Sequence, residues 1–100
     1  MLEIDNARGE ARVDGRRLTL TRKEFELLAA LVAHKGEILS REELMGRIWN
    51  YSNECRTRTL DVHVRRVRMK VGYPCIETVF GVGYRFHGLR EPKARLNAAA

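Results

Sequence analysis

The chain has 100 residues, of which 44% are hydrophobic and 32% are charged, with a net charge of +6 and a pI near 9.9. This length allows one domain with a small core and leaves no room for a second domain of ordinary size. No apolar run approaches the ~20 residues of a transmembrane helix, and the N-terminus lacks the apolar segment of a signal peptide. We therefore expect a cytoplasmic globular protein. The basic excess favours a polyanionic partner such as nucleic acid, although composition alone leaves anionic membranes and acidic proteins open.

The two cysteines, Cys55 and Cys75, lie twenty positions apart and form no CxxC motif. In a cytosolic protein this predicts reduced thiols rather than a disulfide. A zinc site that combines them with His63 or His87 would fit none of the standard ligand spacings. We therefore expect neither a metal nor a cofactor.

The first twenty residues predict a small antiparallel sheet. The segments "LEID", "EARV" and "RLTL" are short and are separated by the turn sequences "NARG" and "DGR". Asp14-Gly15 is a hairpin signal because both central residues of a type I′ turn need positive φ.

Two helices are predicted next, each with a capping box at its start. Thr21 and Glu24 form the first box, and Ser40 and Glu43 form the second, so that each side chain can satisfy a free amide of the other's turn. Gly36 marks the end of the first helix. The buried stripes are expected to be Phe25, Leu28, Ala29, Leu31 and Val32 in the first helix, and Leu44, Met45, Ile48 and Trp49 in the second.

The third predicted helix combines a buried stripe with concentrated positive charge. Leu60, Val64, Val67 and Val71 recur at helical spacing and predict the stripe. Residues 56 to 70 include six cationic residues and one acid, which is nearly the whole charge excess of the chain. A helical wheel places on the opposite face Arg58, Val62, Arg65, Arg66 and Met69, with Thr59, His63 and Lys70 on one flank and Asp61 and Arg68 on the other.

The exposed face of the third helix suits the major groove of DNA, which admits a single helix. Arginine can donate two parallel hydrogen bonds to guanine or pair with phosphate, and Val62 is expected to meet a thymine methyl group. The alternative is an ordinary solvated face, because charge runs on helices usually face water. Asp61 is expected to pair within the helix, with Arg58 or Arg65.

Strands return after the third helix. "CIETVF" and "YRFHG" flank Gly81-Val82-Gly83, which predicts a β-hairpin. The order of sheet, three helices and hairpin predicts an α+β fold of the winged helix-turn-helix class over residues 1–88, with the hairpin as the wing. Residues 89–100 have no period and are expected to form a flexible C-terminal tail.

Three stretches resemble the effector domain of the OmpR/PhoB family of response regulators. They are "LTRKEFELLAALVAHKGEILSREELMGRIW", "RTLDVHVRRVRMKV" and "IETVFGVGYRF", which run in order from about Leu18 to Phe86. The resemblance implies a four-stranded sheet ahead of the helices and sequence-specific binding of double-stranded DNA by a bacterial two-component, phosphorelay-controlled transcription regulator. The third helix would enter the major groove and the wing would lie near the minor groove. Two copies are expected head-to-tail on direct repeats, and the isolated domain is expected to be monomeric.

Particular positions acquire roles from this resemblance. Base readout would fall on Arg66, with Val62 in apolar contact, and Thr78 and Arg85 would lie near DNA on the wing. Further DNA contacts would come from Arg58, Thr59, His63, Arg65, Arg68, Met69 and Lys70. The loop between the second and third helices would contact RNA polymerase through Asn50, Tyr51, Ser52, Asn53 and Glu54.

The chain departs from the family pattern at two positions. The wing reads "TVFG" instead of the usual "TVRG", so Phe80 replaces an arginine that would insert into the minor groove. Phe80 is expected either to pack against the domain or to press on a sugar, with Arg85 as a less well-placed substitute. Met69 stands where lysine is frequent. The family's receiver domain is absent from these residues, which we interpret as an excised effector domain.

Other classes of function are less well supported by the sequence. Gly81-Val82-Gly83 lacks the third glycine and the strand-to-helix context of a phosphate-binding loop, and no serine lies in a nucleophile elbow, so we expect no enzyme. Trp49 and Tyr84 are expected to be core aromatics. The main alternative is a winged helix that binds RNA or a protein partner. Nonspecific architectural DNA binding is a weaker one.

Overall fold

A computed structural model describes residues 2–49, 57–72 and 74–88. The predicted polymerase-contact loop and the predicted tail at 89–100 lie outside these residues. The described elements are β1 (Leu2–Asp5), β2 (Glu10–Val13), β3 (Arg16–Arg17), α1 (Arg22–Ala33), β4 (Ile38–Ser40), α2 (Arg41–Trp49), α3 (Thr57–Val71), β5 (Ile76–Val79) and β6 (Gly83–Phe86). The predicted order of sheet, three helices and hairpin is confirmed, and β4 is an addition to it.

The N-terminal sheet pairs its strands in the order β1-β2-β3, all antiparallel. Asp14 and Gly15 both have positive φ, 51° and 82°, as the predicted hairpin turn requires. The third strand covers two residues and is shorter than the predicted "RLTL", although the amide of Leu18 still donates to the carbonyl of Ala11 and its side chain is buried in the core. The described residues ahead of α1 thus form three strands, where the resemblance implied four.

A second sheet joins the wing to the middle of the chain. Its order is β4-β6-β5, so the predicted hairpin of β5 and β6 has a third strand on the far side of β6. Ser40 of β4 pairs with Gly83 of β6, and the amide of Arg41 donates to the carbonyl of Val82 at 3.1 Å. A β-carbon on Gly83 would lie 2.0 Å from the carbonyl oxygen of Leu39, so only glycine fits there.

Both predicted capping boxes are present. Thr21 and Glu24 exchange side-chain and backbone hydrogen bonds at the start of α1, and Ser40 and Glu43 do so at the start of α2. Each box satisfies amides that have no partner inside the helix.

The predicted buried stripe of α1 needs correction. Phe25, Ala29 and Val32 are only partly buried. The buried face instead consists of Glu24, Leu27, Leu28 and Leu31. This face is rotated from the predicted one because α1 packs against α2, α3 and β6 together.

The stripe of α3 is as predicted. Leu60, Val64, Val67 and Val71 are at most 1% exposed and belong to a single core cluster. Burying each of these side chains contributes roughly 1.5–3 kcal/mol of transfer free energy, which fixes the helix on the domain. In α2 the buried residues are Leu44, Met45 and Ile48, whereas Trp49 is only partly buried. Tyr84 is a core aromatic, as expected.

Candidate nucleic-acid interface

The face of α3 opposite the core carries cations and apolar groups side by side. Arg65 and Arg66 are exposed, Val62 is 38% exposed and Met69 is 72% exposed. Neither guanidinium is bonded to another residue in the described part of the chain. The side chain of Arg58, predicted on the same face, lies outside the described residues. We call Val62, Arg65, Arg66 and Met69 the exposed α3 face.

Arg68 lies on the flank of α3 and reaches the wing. Its Nε and Nη2 donate to the carbonyl of Ile76 at 3.2 and 2.8 Å, and Nη2 also donates to Oγ1 of Thr78 at 2.7 Å. Its guanidinium carbon lies 5.7 Å from the ring centroid of Tyr84. Two residues predicted to contact DNA, Arg68 and Thr78, are thus partners of each other, and together they hold β5 against α3.

Lys70 points towards α1 instead of outward. Its Nζ lies 2.6 Å from Oε1 of Glu24, whose side chain is 1% exposed. Burial is the largest influence on this carboxyl group and raises its pKa. The hydrogen bonds from Lys70 and from the Thr21 amide outweigh it, and the net pKa is lowered. The ammonium group of Lys70 therefore neutralises an acid of the core.

His63 is held by its own helix. Its Nδ1 lies 2.8 Å from the carbonyl oxygen of Thr59, and its ring meets Trp49 edge-on at 5.0 Å between centroids. Because a carbonyl oxygen only accepts, Nδ1 carries a proton. The neutral ring then presents Nε2 as an acceptor, so donation to a phosphate from Nε2 requires the protonated imidazolium.

Asp61 forms an ion pair across elements, with Arg41, and among the described residues it forms none with Arg65, one of its two predicted partners. The side chain of the other predicted partner, Arg58, lies outside the described residues. Nη2 of Arg41, in the first turn of α2, lies 2.7 Å from both carboxylate oxygens, and the hydroxyl of Tyr84 donates to Oδ1 at 2.5 Å. The hydrogen bond from Arg41 is the main reason that the pKa of Asp61 is lowered. Burial and the bond to Asp61 raise the pKa of Tyr84. This network joins α2, α3 and β6.

On the wing, Arg85 is engaged by a neighbouring acid. Its Nε donates to Oε1 of Glu77 at 3.0 Å, and Nε2 of His87 lies 2.5 Å from the same oxygen. These two bonds, with that from Arg85 the stronger influence, lower the pKa of Glu77. Phe80, at the tip, is 90% exposed. Of the two expectations for this ring, packing against the domain is therefore wrong.

The remaining chemistry of the described residues is limited. Cys75 is a buried free thiol, and burial raises its pKa to about 11, so it stays protonated at neutral pH. No group of three or more His, Cys, Asp or Glu side chains among the described residues could hold a metal ion. None of the described helices is long and apolar enough to cross a membrane.

Sequence reasoning missed the roles of Arg41 and Glu24. Arg41 directly follows a cap residue, and Glu24 was assigned only to its capping box. Their partners, Asp61 and Lys70, lie 20 and 46 positions further on. The one available signal was that both partners lie on the flanks of the α3 wheel, where a side chain can turn inward.

Comparison with known proteins identifies the family to which the domain belongs. Residues 15–86 match the family model for "Transcriptional regulatory protein, C terminal". The transcriptional regulatory protein VxrB of Vibrio cholerae is 43% identical over 84 residues, which are 84% of this chain and 34% of VxrB. The chain thus spans about a third of the length of the curated relatives that it matches.

Solved structures agree with this match. The DNA-binding domain of Bacillus subtilis CssR superimposes with a TM-score of 0.78 at 33% identity, over 86% of this chain and 99% of that domain. The DNA-binding domain of Klebsiella pneumoniae RstA, in complex with RstA box, gives a TM-score of 0.77 at 27% identity, over 86% of this chain and 90% of that one. The chain therefore belongs to the family of C-terminal domains of transcriptional regulatory proteins, of the OmpR/PhoB response-regulator type.

Proposed function

We propose that the chain binds a specific double-stranded DNA sequence as the effector domain of a bacterial two-component transcriptional regulator, with α3 in the major groove and the wing near the adjacent minor groove. The observation that carries this proposal is the exposed α3 face, where two arginines that form no bond within the described part of the chain lie beside apolar side chains. The fully buried stripe on the other side of α3 fixes their orientation. Because the helix is already fixed on the domain, binding orders only the outward side chains and not the backbone that carries them.

The members of the exposed α3 face fit distinct tasks. A helix of about 10–12 Å diameter fills a major groove about 12 Å wide, so outward side chains meet base edges. Arg66 is proposed to read guanine, Val62 to contact a thymine methyl group, and Arg65 to pair with phosphate. Arg68 and Lys70 are proposed to act mainly inside the protein, because their donors are already engaged by Thr78 and Glu24.

An RNA-binding role is less well supported by the exposed α3 face. Recognition of single-stranded RNA uses aromatic side chains that stack on splayed bases, and this face carries none. A protein-binding helix would favour an uncharged apolar patch over arginines. Both partners remain outcomes of the test below.

The proposal extends to the longer proteins in which such a domain occurs. We propose control by phosphorylation of a receiver domain, action in the cytoplasm, and a head-to-tail pair of domains on direct repeats. Residues 50–56, between α2 and α3, are proposed to contact RNA polymerase. The support for these points is the family membership alone. We propose binding without catalysis.

The test is selection from a random duplex library, followed by titration of the selected duplex and a scrambled one at several salt concentrations. We expect two direct half-sites about one helical turn apart. Arg66→Ala should lose preference at one base pair, at a cost of about 1–3 kcal/mol, whereas Arg65→Ala should weaken both duplexes equally and reduce the salt slope by about 1. Equal binding of both duplexes by the unmodified chain would overturn sequence-specific recognition.

A further inference from the structure

Phe80 is the most exposed large apolar residue among those described, and the turn that carries it is well defined. The amide of Val82 donates to the carbonyl of Val79 at 2.9 Å, and Gly81 adopts a φ of +78° that suits glycine. The turn therefore fixes the backbone of Phe80 at the tip of the hairpin formed by β5 and β6, with the ring exposed to solvent.

The wing is tied to the flank of α3 close to its tip. Arg68 ties the β5 residue Thr78 to the flank of α3 at 2.7 Å, and Phe80 follows Thr78 by two residues. Two extended residues span at most about 7 Å, so the backbone of Phe80 lies within that distance of the strand position that Arg68 holds against α3. Adjacent major and minor grooves are about half a 34 Å helical repeat apart. With α3 in the major groove, as proposed above, the wing tip would face the adjacent minor groove.

The tip has an apolar, uncharged character. Phe80, Gly81 and Val82 carry no charge, and the nearest wing cation, Arg85, is bonded to Glu77 at 3.0 Å. A narrow, A-tract minor groove attracts inserted cations through its enhanced negative potential. The uncharged wing tip cannot make this electrostatic interaction with a narrow minor groove. Apolar side chains instead enter the minor groove by wedging between base pairs, which is least costly at flexible pyrimidine–purine steps.

We infer that Phe80 is a specificity-determining residue that wedges into the minor groove beside the α3 site and selects pyrimidine–purine steps over A-tracts. This inference rests on the proposed function. It adds a reading of DNA deformability by the wing to the reading of base edges by α3.

The experiment uses the 100-residue chain and a duplex with the selected core motif fixed and six flanking base pairs randomised on each side. Flank enrichment is measured for the unmodified chain, Phe80→Ala, Phe80→Arg and Ile38→Ala. Ile38 is the matched control, because it is also exposed and apolar but lies on β4, at the sheet edge away from β5. Bending is measured by energy transfer between dyes at the two duplex ends, and thermal melts check that the exposed substitutions leave the fold intact.

We expect the unmodified chain and Ile38→Ala to enrich TA or CA/TG steps at one flank and to bend the duplex by at least about 20°. With Phe80→Ala, the enrichment of these steps at the flank should be about tenfold smaller, and most of the bend should be lost, while the core motif is kept. Phe80→Arg should turn the preference towards A-tracts and steepen the salt slope by about 0.9. An unchanged flank preference and bend in Phe80→Ala would overturn the wedge alone. Absence of any core motif in the unmodified chain would overturn the proposed function and the wedge with it.

Discussion

Lys70, near the end of α3, places its ammonium nitrogen 2.6 Å from the carboxylate of Glu24 in the first turn of α1. Loss of the cation would leave a carboxylate that is 1% exposed without its counter-charge. We expect Lys70→Met to lower the free energy of unfolding by about 2 kcal/mol at pH 7, which is less than for a fully buried pair because Lys70 is partly solvated. Denaturant unfolding measures this.

The double variant Lys70→Met/Glu24→Gln is the control for that prediction. Glutamine keeps the side-chain acceptor for the Thr21 amide and removes the charge, so part of the lost stability should return. A Lys70→Met protein with unchanged stability but a salt slope of DNA binding reduced by about 1 would contradict this assignment and favour a phosphate contact.

Arg68 provides a second test of a side chain that holds the domain together. Arg68→Ala removes the three hydrogen bonds to Ile76 and Thr78, and we expect a loss of about 2 kcal/mol together with faster amide exchange in β5. Arg68→Lys should recover little, because an ammonium group lacks the planar fork of donors. Arg65→Ala, on the exposed α3 face, is the matched control and should change stability by less than about 0.5 kcal/mol. Equal stability in both alanine variants would show that Arg68 does not anchor the wing.

Asp61 predicts a dependence of stability on pH. The hydrogen bond from Arg41 is the main reason that the pKa of Asp61 in the folded protein lies below the ordinary 3.8. The ionised carboxylate therefore stabilises the fold fully above pH 3.8, and this stabilisation is lost as the pH falls through the lower folded pKa. We expect Asp61→Asn to cost about 1 kcal/mol at pH 7, since the carboxylate is half exposed, and to cost less as the solution is acidified. The quantity to follow is the difference in unfolding free energy between the two proteins from pH 7 to 3. Other carboxylates with a lowered pKa, such as Glu24, are present in both proteins, so their effect on stability cancels in this difference. A constant difference would exclude linkage through this carboxylate.

Gly83 and Gly81 lie in the same hairpin, but glycine is needed at each for a different reason: lack of space at Gly83 and a positive φ at Gly81. A β-carbon on Gly83 would collide with the backbone of Leu39 and Ser40, so Gly83→Ala should cost about 3 kcal/mol or more. Gly81 has open space around it and only a positive φ, so Gly81→Ala should cost about 1 kcal/mol. Thermal unfolding of both variants checks the order, and a reversed order would contradict the pairing of β4 with β6.

The parts of the fold that the sequence predicted are those encoded over a few residues. The capping boxes at Thr21 and Ser40 each need only a partner three positions away. The stripe of Leu60, Val64, Val67 and Val71 follows from helical period. The strand β4, three residues long, has no such local signature, since it becomes a strand only by pairing with β6.

The candidate site was predicted less completely, for a similar reason. A helical wheel correctly placed Val62, Arg65, Arg66 and Met69 outward. It could not show that Arg68 and Lys70 turn inward, because their partners come from β5 and α1. Long cationic side chains on the flank of a helix can reach either water or a distant acceptor, and only the folded chain decides between them.

The pairing of β4 with β6 also affects the order of folding. Ser40 caps α2 and pairs with Gly83. The connection between α1 and α2 is therefore bonded to a strand that lies more than forty positions later in the chain. Contacts between distant segments form slowly, because the intervening chain must first be ordered. During synthesis, α1, α2 and α3 all emerge before the strand that bonds to the turn between the first two. A nascent chain that ends before Gly83 would therefore contain the basic helix α3 but no wing. The helix and the wing can contact DNA together only after β6 has paired with β4 and β5.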